Sequence, residues 1–404
     1  MRPDHALPDS PEIDLGPRAR AFRAELRAWL AENRPDPAAA SESPGAVRGS
    51  AALEAWGEKL RRAGYLCITW PEAYGGRGLS GVEVAVMNEE FARAGVPRVT
   101  RGMGESLVAP AIIVHGTEEQ KARLLPRILS GEDRYCQGFS EPNAGSDLAS
   151  LETRGVVEGD ELVVTGQKVW TSWYWDATML FCLCRTDPGA SKHGGISYVL
   201  IPIRQADGSP NGVTFRPIRQ ITGQKHFAET FLEGARAPLT NVIGGLGNGW
   251  AVTRTTLGNE RGGSATTQHT AFAAEFWKLV DALRARGRTG DPVVRQQLAW
   301  AYTQVELMRF QGLRLISSVA TGGDPDASAS IHKMFWSEYA RRFGEIAMNL
   351  LGAEAMIRDD DGRLSRWQAS FLGSRSHTIW GGTAEIQRNI VGERVLGLPR
   401  EPEA

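Results

Sequence analysis

Apolar positions along the chain change their spacing twice. In "RAFRAELRAWLAENRP", Phe22, Leu26, Trp29 and Leu30 fall at i, i+4, i+7 and i+8, a single helical stripe that Pro35 closes. Residues 35–50 are rich in Ala, Ser, Pro and Gly and read as a loop. Leu53, Trp56 and Leu60 give a second stripe, ended by Gly64. The segment "GTEEQKARLLPRILSGE" opens with a capping-box pattern, Thr117 to Gln120, and ends at Gly131, while Pro126 predicts a kink or break. Near Tyr135 the character changes. "ELVVTGQKVWTSW", "ATMLFCLCRT", "GISYVLIPI" and "GVTFRPIR" are short β-prone runs between Gly, Asp, Pro and Asn turns, and "HFAETFLEGARAP" is a candidate for another. After "NVIGGLGNGW" the helical spacing returns and persists to about Leu396. Helical, β, helical is the order of an α+β protein rather than of repeated βαβ units. The expected division is a loose tail over 1–17, a helical domain over 18–134, a β-domain over 135–243 and a second helical domain over 244–404.

Length and composition narrow the picture without deciding it. A chain of 404 residues exceeds what one core usually organises, so two or three domains are expected. With 46 basic and 47 acidic residues, no net field favours nucleic acid or an anionic membrane. No apolar run approaches the roughly 18–20 residues needed to span a bilayer. The first 17 residues carry acids and prolines and resemble neither a signal nor a transit peptide. Cys67, Cys136, Cys182 and Cys184 lack zinc spacing and read as buried free thiols, which suits a reducing cytoplasm. The seven histidines form no metal pattern, and no G-x-S-x-G elbow occurs. The glycines of "GGLGNG" imitate a dinucleotide fingerprint but lack a βαβ unit, so a turn before a helix is the better reading.

Three stretches are richer in small donors, aromatics and charge than packing demands. "CQGFSEPNAGSDLAS" suits a loop that wraps polar ligand atoms, or a solvated turn and helix cap. "GQKVWTSWYW" sets Trp170, Trp173 and Trp175 around Thr171 and Ser172, suited to a flat polar-edged ring or to a core. "TTLGNERGG" holds a glutamate–arginine pair on a helical stretch, where exposed charge is the ordinary explanation.

Taken in order with "WPEAYGGRGLSGVEVAVMNEEFARAG", "HGTEEQKARLLPRILSGE" and "GGTAEIQRNIVGERVLG", these stretches resemble the flavin-dependent acyl-CoA dehydrogenases over about residues 18–398. The resemblance is strongest to bacterial members that handle bulky or branched acyl chains. It implies an N-terminal helical domain, a middle antiparallel barrel-like β-domain and a C-terminal four-helix bundle. It also implies FAD as cofactor, an acyl-CoA or acyl-carrier substrate, electron-transferring flavoprotein as acceptor, and a homo- or hetero-oligomer, dimer or tetramer.

Residue by residue, the resemblance implies that Phe139 and Ser140 meet the flavin's polar edge, Trp170 lies beside its ring and Ser172 serves N5. Thr383 and Glu385 also stand among the cofactor contacts. Ser146 matches a contact to the pantetheine–phosphate arm. Arg286 and Gln297 match residues that reach FAD phosphate and adenine from a neighbouring subunit, with Thr289 where the family has phenylalanine. Asn349, Gly352, Ala353 and Ala355 stand in a Q-x-x-G-G-x-G segment, three of the four departing from it. The family's commonest catalytic glutamate would stand at Gly381, so it is absent. A minority of members carry that base just before an arginine on the first helix of the C-terminal domain, and "LGNERGG" puts Glu260 and Arg261 there. Glu260 is therefore the expected base, with Asn259, Arg261, Gly381 and Gly382 on the substrate. The alternatives are a non-catalytic or FAD-poor subunit of a hetero-oligomer, and a flavin monooxygenase or oxidase on the same fold.

Overall fold

The computed structural model describes residues 15–36, 51–320, 325–358 and 362–400; the side chains of 260–267, 319–320 and 325–327 fall outside that description. The chain divides into two compact units. One draws on the segment up to Arg34, on Ser80–Val96 and on everything from Arg261; the other comprises Pro35–Leu79 and Pro97–Glu260. The N-terminal helices are shared between them.

In the second unit, α2 (Ala51–Arg62) buries the predicted Leu53, Trp56 and Leu60. Helix α4 spans Ala109–His115, and α5 spans Glu118–Ser130 with both halves of the Thr117 capping box formed and a left-handed Gly131 at its end. That helix runs through Pro126 instead of breaking. The two caps and burial of Leu124, Leu125 and Ile128 offset the hydrogen bond that proline cannot donate.

Beyond them lies an eight-stranded sheet of β1 (Tyr135–Gly138), β2 (Arg154–Glu158), β3 (Glu161–Ser172), β4 (Met179–Arg185), β5 (Ile196–Pro202), β6 (Val213–Ile218), β7 (Phe227–Pro238) and β8 (Val242–Ile243). Strands run in the order β6-β7-β3-β2-β4-β5-β8, and β1 adds to β4. Pairing is antiparallel except β1–β4 and β2–β4, which are parallel. The unbroken apolar runs of β4 and β5 follow from burial on both faces. Leu162, Val164, Leu180, Val199, Ile201 and Leu232 lie at the centre of that core. All four cysteines are buried and free. The "GGLGNG" stretch is a turn, with Gly244, Gly245 and Gly247 left-handed, leading into α6 (Gly249–Ala285).

In the first unit, α1 (Pro17–Glu32) buries Phe22, Leu26 and Leu30 as its stripe predicts, and Pro17 already opens the helix. The rest of the expected tail, residues 1–14, and most of the expected loop, residues 37–50, lie outside the described residues. Helix α3 (Gly81–Ala94) starts at a Ser80–Glu83 capping box. The remainder of α6 packs with α7 (Pro292–Ala320) and α8 (Pro325–Leu351) around Phe276, Leu283, Val305, Met308, Phe343 and Ala347. Short helices α9 (Arg366–Gly373) and α10 (Ala384–Ile390) complete it. A chain of charges sews α1, α3 and α7 together: Arg23 reaches Glu90 at 2.7 Å and Glu89 at 3.0 Å, and Arg309 lies 3.8 Å from Glu89.

Candidate active site

Strand β1 stops at Gly138, and the polar loop that follows is held from beneath. Glu141 is buried and accepts from Glu152 N at 2.7 Å, Thr153 N at 2.9 Å and Lys168 Nζ at 2.8 Å. Lys168, fully buried on β3, also donates to Phe139 O at 3.1 Å. Burial pushes the Glu141 carboxyl up, but the Lys168 charge and these hydrogen bonds outweigh it and hold the group below its usual range. A buried ion pair with its remaining valences filled fixes position more than it adds stability. It anchors Phe139, whose ring is edge-on to Phe181 at 5.4 Å, and Ser140, whose carbonyl accepts from Val169 N at 2.9 Å. Sequence reasoning flagged the neighbourhood but missed the Glu141–Lys168 pair.

One residue further on, the β3–β7 register slips between Lys168 and Thr171. The extra residue lets Thr171 stay buried, where its Oγ1 accepts from Thr230 Oγ1 at 2.8 Å, while Trp170 swings outward. Trp170 takes a left-handed backbone (φ 64°) and is 58% exposed, its ring edge-on to Phe227 at 6.2 Å. Left-handed tryptophan is strained, and Trp173 shares the condition at φ 62°. Between them Ser172 is half-buried. Trp170 is therefore a presented aromatic plane rather than core. Ser146 is exposed, next to an exposed Asp147–Lys192 pair at 2.7 Å.

In the helical unit, Gly381 and Gly382 are both left-handed, at φ 67° and 89°. Gln387 lies buried beneath them, donating from Nε2 to Gly381 O at 3.1 Å while its Oε1 lacks a partner. A methyl group on Gly382 would sit 2.4 Å from that nitrogen. Thr383 caps α10 by accepting from Ile386 N. Glu385 is exposed on the first turn, where backbone N–H and the Thr383 hydroxyl hold its carboxyl below the usual range. Behind the turn the rings of Trp336, His377 and Trp380 stand 5.3–5.5 Å apart, and Lys333 donates to His377 O.

The same unit brings together two segments that the sequence sets 60 residues or so apart. Arg286, at the end of α6, meets Glu354 on the turn after α8, and Arg288 reaches Leu350 O. Gly352 is left-handed at φ 65°, while Asn349 and Ala353 are exposed. Gln297 is half-buried, with Oε1 lacking a partner. On α6, Asn259 is exposed and donates to Thr255 O at 2.8 Å. The side chains of Glu260 and Arg261 lie outside the described residues.

Family descriptions match three consecutive stretches: the acyl-CoA dehydrogenase N-terminal domain over residues 16–132, the middle domain over 136–234 and the C-terminal domain over 247–396. The chain belongs to the acyl-CoA dehydrogenase family. Acyl-CoA dehydrogenase IpdE1 of Mycobacterium tuberculosis is 42% identical over 384 residues, covering 94% of this chain and 98% of its own. The Tcur3481-Tcur3483 steroid ACAD structure is 33% identical with TM-score 0.80, covering 96% of this chain and 100% of the other. The ChsE4-ChsE5 complex of Mycobacterium tuberculosis is 31% identical with TM-score 0.77, covering 97% and 100%.

An acyl-CoA dehydrogenase acts on an acyl-CoA thioester, and the described residues offer groups suited to that task and to the flavin that the family typically uses. In the sheet-bearing unit the exposed Trp170 plane and the Ser140 and Ser172 hydroxyls fit a flat, polar-edged ring; in the helical unit Gln297 Oε1 is a buried acceptor without a partner. Arg286 fits less simply, because its charge is already matched by Glu354. Among the described residues no helix is long and apolar enough to cross a membrane.

Proposed function

We propose that this acyl-CoA dehydrogenase is FAD-dependent and introduces an α,β double bond into a bulky, ring-bearing or branched acyl-CoA, with Glu260 as the base. Bound FAD supplies the acceptor for the hydrogen that leaves the β-carbon with its electron pair. Phe139, Ser140, Trp170 and Ser172 would hold its ring, with Thr383 and Glu385 nearby. Arg286, Gln297, Asn349, Gly352 and Ala353 would serve its phosphate and adenine arm in a neighbouring subunit. The observation that carries the reading is the β3 bulge that presents Trp170 beside Ser172, next to the loop after β1 that Glu141 and Lys168 pin.

Glu260 would take the α-proton, a task that calls for a carboxylate within hydrogen-bond reach of the α-carbon. Gly381 has no carboxylate to offer, but its backbone N–H serves the thioester oxygen, where charge develops as the proton leaves. Asn259, Arg261 and Gly382 would serve the thioester, and Ser146 would take the phosphate arm of CoA or of a carrier. The missing side chain at 381 leaves room for a wide acyl group, and the likeness to a steroid ACAD supports the same substrate class. An electron-transferring flavoprotein would be the electron acceptor. A second reading, a subunit whose cofactor site is completed by a different chain, is favoured by the Arg286–Glu354 pair and by the likeness to the ChsE4-ChsE5 complex.

The test is spectroscopic. The purified protein should be yellow, and anaerobic addition of ring-bearing acyl-CoA should bleach it faster than a straight-chain thioester does. A colourless protein that takes up no added FAD, or a yellow one that no acyl-CoA bleaches, would contradict the proposal.

A further inference from the structure

Every nitrogen of the Arg286 guanidinium is engaged within the chain. Nε and Nη2 each lie 2.7 Å from Glu354 Oε2, and Nη1 donates to Ala282 O at 2.8 Å. The carboxylate is delivered by a held turn rather than by a loose loop. Gly352 starts the turn left-handed, and Gln368, itself buried, donates from Nε2 to Ala355 O at 2.7 Å and to Ile357 O at 3.1 Å. Arg288 clasps the same end of α8 through Leu350 O. The backbone is thus fixed, while the pair itself remains at the surface, with Arg286 38% and Glu354 62% exposed as side chains.

A guanidinium offers a carboxylate and a phosphate the same donor fork, so it serves one of them at a time. A carboxylate left beside a bound diphosphate would also repel it. We infer that Glu354 is a built-in counter-anion that competes with the cofactor's diphosphate for Arg286 and so sets how tightly flavin is retained. This rests on the FAD reading above and extends it: the chain carries its own weak competitor for the phosphate arm. An exposed pair of this kind is worth little alone, so a several-fold rather than a thousand-fold effect follows.

The experiment is equilibrium dialysis of the flavin-stripped full-length protein against FAD and, separately, against riboflavin, which lacks the diphosphate. Glu354→Gln should bind FAD roughly 3–10-fold tighter than the unmodified protein, with riboflavin binding unchanged. Arg286→Gln should weaken FAD, and adding Glu354→Gln to it should restore nothing. Equal or weaker FAD binding by Glu354→Gln, or an equal gain for riboflavin, overturns the inference. If that happens while FAD binds and acyl-CoA bleaches it, only the role of Glu354 falls. If neither protein binds FAD at all, the flavin reading falls with it.

Discussion

In the sheet-bearing unit Lys168 is fully buried, yet its ammonium ends on Phe139 O and Glu141 Oε1. In the helical unit His332 is buried almost as deeply, and neither ring nitrogen has a hydrogen-bond partner. Buried polar atoms without a partner occur in both units, Tyr135 Oη and Gln220 Oε1 among them in the sheet-bearing one, and they are more numerous in the helical one. Ser330, Trp336, Tyr339, Gln311 and Gln387 of the helical unit each bury a polar atom without a partner. A sheet spends its backbone donors on neighbouring strands and offers loop N–H groups at its ends, so a buried charge there is readily clothed. Helices satisfy their backbones internally, and a polar side chain between them must find another side chain or go without. The sheet thereby makes a rigid platform for Trp170 and for the loop after β1, while the bundle is left sensitive to protonation.

That sensitivity gives the largest expected effect. Burial lowers His269, His332 and His377 to about 4, assisted at His269 by Arg309 and at His377 by Lys333. The unfolded chain takes up protons on these groups near pH 6.5, while the folded unit resists until about pH 4. Stability of the helical unit is therefore undiminished above pH 6.5 and falls as pH drops through that window, by on the order of 5 kcal/mol summed at pH 5. Hydrogen exchange at pH 7 and pH 5 should show α7 and α8 losing protection before β3–β5. Equal loss in both units would erase the contrast.

Next in size is Lys168→Met, which leaves Glu141 buried with no cation. About 3–5 kcal/mol of destabilisation is expected in thermal or denaturant unfolding, together with weakened flavin binding. A neutral result would mean that the sheet does not depend on the Lys168–Glu141 ion pair. The smallest effect belongs to Gly382→Ala. A left-handed backbone and a contact 2.4 Å from Gln387 Nε2 should cost about 1–2 kcal/mol, eased because the amide end of Gln387 can shift. The measurement that sharpens the comparison is KM for acyl-CoA, which should rise more than stability falls.

The sequence made the repetitive parts of the fold visible and the contacts of high separation invisible. The stripe of Phe22, Leu26 and Leu30, the Thr117 cap and strands β3 to β7 follow from period and punctuation alone. Strands β1, β2 and β8 escaped because four, five and two residues carry too little pattern. Whether Trp170 was core or exposed depended on a single inserted residue in the β3–β7 register, which no local pattern reveals. Glu141 and Lys168 are 27 positions apart and became partners only through the sheet. Glu354 occupies a position the motif leaves open, so nothing in the sequence pointed to its grip on Arg286. At Gly381 the sequence shows only a missing side chain, and the base proposed at Glu260 rests on the family resemblance.

The proposed chemistry stands on Glu260. Rapid anaerobic mixing of the FAD-loaded Glu260→Gln protein with ring-bearing acyl-CoA, following the flavin's visible absorbance, tests it most directly. The expected result is reduction slowed by roughly 10²–10⁴-fold with FAD still bound. Bleaching at the unmodified protein's rate would place the base elsewhere and contradict the account.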